Sequence, residues 1–108
     1  MMKMKLSEAM REGYALMQKH GIEQGQGKFI QRRDDYSISH CCALGAAYIA
    51  VTTPHQRVSH FNESRRKEAL SQGIYGSGHG FFVGVIYRND LLRWNIEMII
   101  DWLEKIGE

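Results

Sequence analysis

The sequence predicts a mainly α fold: a compact helical single domain over residues 1–108, built around a buried central helix. Within the segment 40–52, residues 41–51 leave no polar face, which is typical of a helix at the centre of a domain. Residues 6–20 and 95–106 carry apolar side chains at the spacing of one helix face. A chain of 108 residues fits one domain and is too short for two hydrophobic cores.

Composition and charge argue against several classes of protein. The 14 Lys and Arg against 12 Asp and Glu give a net charge of +2, which is small for a dedicated nucleic-acid binder. The longest uncharged apolar run, 41–51, is about half of the length that crosses a bilayer. The first residues lack the apolar core of a signal peptide. The two cysteines are adjacent, which is unsuited to a disulfide between them and fits a reducing compartment. We therefore expect a cytoplasmic protein with no membrane association and no cofactor.

The first helix is predicted over residues 6–20. Its apolar face carries Leu6, Met10, Tyr14 and Met17. Ser7 is the expected N-cap, and Gly21 is the expected left-handed residue that closes the helix. Gly13 lowers the helix propensity of this segment, so we expect another element to approach closely there.

The segment that follows is rich in glycine and contains two short runs of strand character. Residues 28–32 and 36–39 flank a polar 33–35 segment, which indicates either a short β-hairpin or a packed loop. The central helix is then predicted over 40–52, with Ser39 as its N-cap. It should end near Thr52, because Pro54 disfavours helical backbone in the residue before it.

The segment 54–80 gives the weakest indication of secondary structure in the sequence. A helix is predicted over 62–72, followed by a glycine-rich, mobile loop over 73–80 without the features of a phosphate-binding loop. Residues 81–87 fit a strand and a helix equally well. Asn89 and Asp90 are expected to form a turn and a cap.

The last helix is predicted over 95–106. Its apolar stripe consists of Ile96, Ile99, Ile100, Leu103 and Ile106. Asn95 is the expected N-cap, Trp94 is expected to pack on Ile99, and Gly107 should close the helix. Leu44 of the central helix and Ile99 are expected to share one core.

Three pieces of the chain carry a resemblance to a known group. They are 6–13 (LSEAMREG), 42–47 (CALGAA), and Asn89-Asp90 followed by Trp94 and 99–103 (IIDWL). Together they resemble small uncharacterised proteins of bacteriophages, prophages and bacterial genomes. The resemblance implies a buried CALGAA helix and a Trp-Leu terminal helix, and it implies no activity. We expect a non-catalytic protein of this accessory type that acts by binding another protein, its partner and oligomeric state being open.

A Cys-His hydrolase of the cell-wall peptidase type is the enzymatic alternative. Cys41 or Cys42, in the first turn of a helix, would be the nucleophile, His79 its base and Asn89 the orienting residue. The competing interpretation is that Cys42 is a buried packing residue, whose thiol pKa is raised by its apolar surroundings. On that interpretation, Cys42→Ser should be less stable than Cys42→Ala, since the hydroxyl would need a partner.

A weak nucleic-acid-binding protein is the second alternative. Its contacts would come from the basic residues Arg57, Arg65, Arg66 and Lys67. Interleaved glutamates favour a solvated face instead. The potential metal ligands are Cys41, Cys42, His40, His55, His60 and His79. They lack the spacing of a closed site, so no metal is predicted.

Overall fold

The computed structural model describes residues 4–52, 74 and 79–108, and only the backbone of Thr52 and 79–81. Within these residues the fold is mixed α/β rather than mainly α. The helices are α1 (Leu6–Lys19), α2 (Ala43–Thr52), α3 (His79–Ile86) and α4 (Ile96–Lys105). A π-helical segment, Tyr87–Leu91, continues α3 directly. The strands are β1 (Glu23–Gln24), β2 (Ile30–Arg32) and β3 (Ile38–Cys41).

The three strands form a small sheet in the order β1-β3-β2. Of the two alternatives left open for 28–39, a hairpin and a packed loop, the structure shows the hairpin, since β2 pairs antiparallel with β3. The sheet also has a parallel strand, β1, that the sequence did not predict. Strands of two to four residues are too short to show an alternating pattern, which is why the prediction of a mainly α fold was wrong in this part of the chain.

The core lies where α1 packs against both α2 and α4. All of α2 from Ala43 to Val51 is buried, as the sequence predicts for a helix without a polar face. The helix ends at Thr52, which confirms the effect expected of Pro54. Gly13 lies against Ala46, so the close approach expected at this glycine is also confirmed.

Two predicted N-caps were wrong. The first helix begins at Leu6, and Ser7 lies buried inside its first turn, where its amide donates to the Glu108 carbonyl. The central helix begins at Ala43 rather than 40, because Ser39 belongs to strand β3. Cys42 precedes the helix, and its carbonyl accepts the amide of Ala46 at 3.0 Å, as an N-cap carbonyl does.

Residues 79–108 are mostly helical. Residues 81–87, for which strand and helix were both open, are helical. The turn predicted at Asn89 and Asp90 was wrong, because both residues lie inside the π-helical segment. The buried side chain of Asn89 makes hydrogen bonds that hold this segment helical.

Helix α4 follows the prediction closely. The Asn95 side chain accepts from the Met98 amide at 2.9 Å, which confirms it as the N-cap. Leu44 and Ile99 belong to the same buried cluster. Gly21 and Gly107 have positive φ values of 68° and 81° and close α1 and α4 as expected. Ile106, predicted to belong to the apolar stripe, is 44% exposed.

Some predictions fall outside the described residues. These are the helix over 62–72, the basic residues Arg57, Arg65, Arg66 and Lys67, and most of the glycine-rich segment 73–80. Ile74 is described and bridges to Met4, and 79–80 belong to α3. None of the helices in the described part of the chain is long and apolar enough to cross a membrane.

Candidate functional site

Helix α3 and the π-helical segment present an apolar face to solvent. We call it the ridge; it consists of Val83, Ile86, Tyr87, Leu91 and Leu92, which are 44–71% exposed. Such a face is unusual, because a helix that is apolar all round is normally buried on all sides. An exposed apolar surface of this kind is typical of a site that binds another macromolecule.

The spacing of the side chains produces the ridge. Val83, Tyr87 and Leu91 are four residues apart, which places them along one line of the helix surface. Val85 and Asn89, on the opposite side, are fully buried. The Leu92 amide donates to the Tyr87 carbonyl, an i→i+5 hydrogen bond that marks the wider π turn. Beyond Tyr87 the exposed residues and the buried residues therefore continue on the same two sides of the helix. The helix is therefore anchored on one side and apolar on the other.

Asn89 is the main anchor beneath the ridge. Its Oδ1 accepts from the Ala43 amide at 2.9 Å and from Gln24 Nε2 at 2.8 Å. Its Nδ2 donates to the Gly25 carbonyl at 2.9 Å and to Asp90 Oδ1 at 2.7 Å. These four hydrogen bonds use the full capacity of the carboxamide. A fully satisfied buried polar group of this kind fixes one arrangement of its neighbours.

Gln24 extends this network to the last helix. Its Nε2 also donates to the Trp94 carbonyl at 2.8 Å, and its Oε1 accepts from the Ile96 amide at 2.9 Å. The side chain thereby satisfies an amide in the first turn of α4 that has no partner within the helix. Asn89 and Gln24 together join strand β1, the start of α2, the π-helical segment and the start of α4.

Arg88 holds the flank of the ridge against α4. Its guanidinium carbon lies 3.6 Å from the ring centroid of Trp102 and 5.3 Å from that of Trp94. One guanidinium nitrogen, Nη1, donates to the Gly84 carbonyl at 3.2 Å. Cation–π contacts to two tryptophans fix the side chain and the helix that carries it. The ridge is thus a preformed surface rather than a loop.

The residues of the alternative catalytic site have different positions. Cys41 lies in β3 and Cys42 directly precedes α2; both are buried, and neither forms a disulfide bond. His79 is the first residue of α3, where only the backbone is described. The side chain of Asn89 is occupied by the four partners above. It therefore has no hydrogen-bonding group left with which to orient an imidazole.

The Cys42 thiol is poorly suited to act as a nucleophile. Burial, with a smaller contribution from the carboxylate of Asp90, raises the pKa of Cys42 to about 11. The amides of Gly45 and Leu44, which point at the sulfur, oppose this rise but are outweighed by burial. At neutral pH the thiol is therefore almost entirely protonated, whereas the reactive species is the thiolate.

Neither a metal site nor a ligand groove emerges as a second candidate in the described residues. In the part of the chain that the structure describes, no group of three or more His, Cys, Asp or Glu side chains could hold a metal ion. A groove of about 330 Å³ lies between α1 and α4, lined by Arg11, Tyr14, Ala15, Gln18, Glu97, Ile100 and Asp101. Its charges are mixed, and Arg11 forms an ion pair with Glu104 beside it. The groove therefore has no chemistry that selects a particular ligand.

Comparison with known proteins identifies no relative of this chain. The chain matches no protein-family model, no curated protein and no solved structure.

Sequence reasoning missed the ridge, although a signal for it exists. The apolar residues Val83, Tyr87 and Leu91 recur at intervals of four, while Val85 lies out of phase with them. A helix with apolar residues in both phases has apolar surface on two opposite sides. Asn89-Asp90, interpreted as a turn, hid the continuation of this pattern to Leu91.

Proposed function

We propose that this protein is a non-catalytic binding protein of the phage or prophage accessory type, which acts by binding another protein through the ridge. The observation that carries the proposal is the continuous exposed apolar face on α3 and the π-helical segment. The resemblance of 6–13, 42–47 and 99–103 to small phage and prophage proteins supports the accessory type.

The size of the ridge supports binding. Five side chains that are 44–71% exposed leave roughly 500 Å² of apolar surface in contact with water, given the area of large side chains. This lies in the range of the largest patch on a typical protein, a patch that is often functional. Covering it would contribute on the order of 10 kcal/mol before the cost of association.

The rigid support beneath the ridge favours a binding function over a catalytic one. The hydrogen bonds of Asn89 and Gln24 and the stacking of Arg88 hold the ridge in one arrangement, which lowers the entropy cost of binding a partner. The hydrolase alternative requires a thiolate, and burial of Cys42 works against it. Iodoacetamide applied to the native protein at neutral pH should leave both cysteines unmodified; rapid modification would favour the hydrolase.

Comparison of three baits in an extract of the native host tests the proposal. The wild-type chain, Leu91→Asp and Met98→Asp are immobilised at equal density, and bound proteins are quantified by mass spectrometry. Met98 is the matched control, because it is an exposed apolar side chain on α4 and does not belong to the ridge. We expect proteins that wild type and Met98→Asp capture and Leu91→Asp does not. The same captured set on all three baits would contradict the proposal.

A further inference from the structure

The ridge has the form of a self-complementary surface, and we propose that its partner is a second copy of this chain. The proposal rests on the proposed function, since it names the protein that the ridge binds. In it, the α3 helices of two copies pack antiparallel across a two-fold axis that passes beside Tyr87. Each copy then covers the apolar face that the other leaves exposed.

The order of side chains along the ridge suits such a pairing. Val83 and Leu91 lie four residues to either side of Tyr87 along the helix. An antiparallel pairing about Tyr87 therefore places Val83 of each copy opposite Leu91 of the other. A small side chain faces a large one on both sides of the axis. The same patch serves both copies, as a two-fold interface requires.

The area is consistent with this partner. One ridge offers roughly 500 Å² of apolar side-chain surface, so two copies together would bury about 1,000 Å² from the ridge alone, the size at which specific interfaces begin. Residues at the edge of the contact add to this area.

The charges around the ridge also permit self-association. Its central line, Val83, Tyr87 and Leu91, contains no charged residue. The neighbouring Arg88 lies against Trp102 and Trp94, and the carboxylate of Asp90 accepts a hydrogen bond from Asn89. Bringing two ridges together therefore sets no like charges opposite each other along the centre, where they would oppose pairing.

Sedimentation equilibrium of the purified full chain tests the proposal. For the wild type we expect a species of twice 12.5 kDa at micromolar to tens of micromolar concentration, in equilibrium with monomer. Leu91→Asp and Val83→Lys should each raise the dimer dissociation constant by at least about tenfold, because each would bury two unpaired charges in the interface. Met98→Asp, at an exposed position of α4 outside the ridge, should leave the dissociation constant unchanged.

The double variant Val83→Lys/Leu91→Asp tests the register itself. In the antiparallel pairing its lysines face the aspartates of the other copy, so its dissociation constant should return toward the wild-type value at low salt. Within one chain the two positions are eight residues apart, too far for a direct ion pair on the helix. Circular dichroism establishes that each variant is folded.

Three results would overturn the inference. They are a wild-type chain that stays monomeric at about 100 μM, a dimer that the single ridge variants leave intact, and a double variant no better than the singles. The host-extract experiment judges the proposed function separately. A monomeric chain whose captured proteins depend on Leu91 would remove the second copy as partner and leave the proposed function standing.

Discussion

Gly13 of α1 lies directly against the backbone of Ala46 in α2. A Cβ built on Gly13 would come within 1.6 Å of the Ala46 carbonyl oxygen and 2.3 Å of its carbon. Both atoms belong to a fully buried helix and cannot move aside as a flexible side chain could. The absence of a side chain at Gly13 therefore sets how closely α1 and α2 approach each other.

Gly13→Ala should destabilise the protein, although the same change in an exposed helix stabilises it by up to about 1 kcal/mol. The methyl group must separate α1 from α2, and overpacking of this kind costs about 1–3 kcal/mol or more. Urea unfolding measures the change. Glu12→Ala, at an exposed neighbouring position of the same helix, is the control and should alter the free energy of unfolding by less than about 0.5 kcal/mol. A Gly13→Ala variant as stable as wild type would mean that the helices are not in contact there.

Asn89→Ala should cost about 2–4 kcal/mol of unfolding free energy. It leaves the Ala43 amide and the Gly25 carbonyl without their partner in a buried site. Asn89→Asp should cost at least as much, because the new oxygen would face the Gly25 carbonyl and the Asp90 carboxylate. Asn95→Ala is the comparison, since it removes one exposed cap worth about 1 kcal/mol. Equal losses at Asn89 and Asn95 would refute the anchoring role of Asn89.

Stability should fall between pH 9 and 11 in a way that depends on Cys42. Burial raises the pKa of the folded thiol from 9.0 to about 11, so the fold favours the protonated form. That contribution is fully present below pH 9 and is lost as the pH rises through 11, by up to about 2 kcal/mol. Urea unfolding at pH 8 and pH 10.5 measures the loss in wild type and in Cys42→Ala. Tyrosine and lysine titration is common to both proteins, so an equal loss in the two would contradict the assignment to Cys42.

From the structure we expect the stabilities of Cys42→Ser and Cys42→Ala in the opposite order to the one expected from the sequence. The amides of Leu44 and Gly45 point at the sulfur, and Cys42 occupies the N-cap of α2. Serine is a favoured residue at this position, because its oxygen accepts these amides. We therefore expect Cys42→Ser to be more stable than Cys42→Ala by about 1 kcal/mol, measured by urea unfolding. A less stable serine variant would restore the interpretation of Cys42 as a purely apolar packing residue.

The parts of the fold that could be predicted are those with a local signal. Helices α1 and α4 each bury one face and expose the other, so their apolar side chains recur at helical spacing. Their C-terminal ends are marked by Gly21 and Gly107, which adopt positive φ values, and the start of α4 is marked by the capping side chain of Asn95. The end of α2 follows from the restriction that Pro54 places on the residue before it.

The parts that could not be predicted depend on contacts distant in sequence. Strand β1 has two residues, and it exists because β3 supplies a partner for Glu23 and Gln24. Asn89 stays helical because it binds the start of α2, 46 positions earlier. The same cause concealed the candidate site: the ridge is recognised only when the anchored side of the π-helical segment is known, since that fixes which side faces solvent.

The free energy of unfolding of Leu91→Gln and Val83→Gln, measured against Val85→Gln, tests most directly whether the ridge is a surface for a partner. At dilute concentration, where self-association adds nothing to stability, both ridge variants should stay within about 0.5 kcal/mol of wild type. Val85→Gln, which buries an amide on the opposite side of the same helix, should lose at least about 2 kcal/mol. Ridge variants that lose as much as Val85→Gln would show that the chain itself covers this face, and would contradict the account.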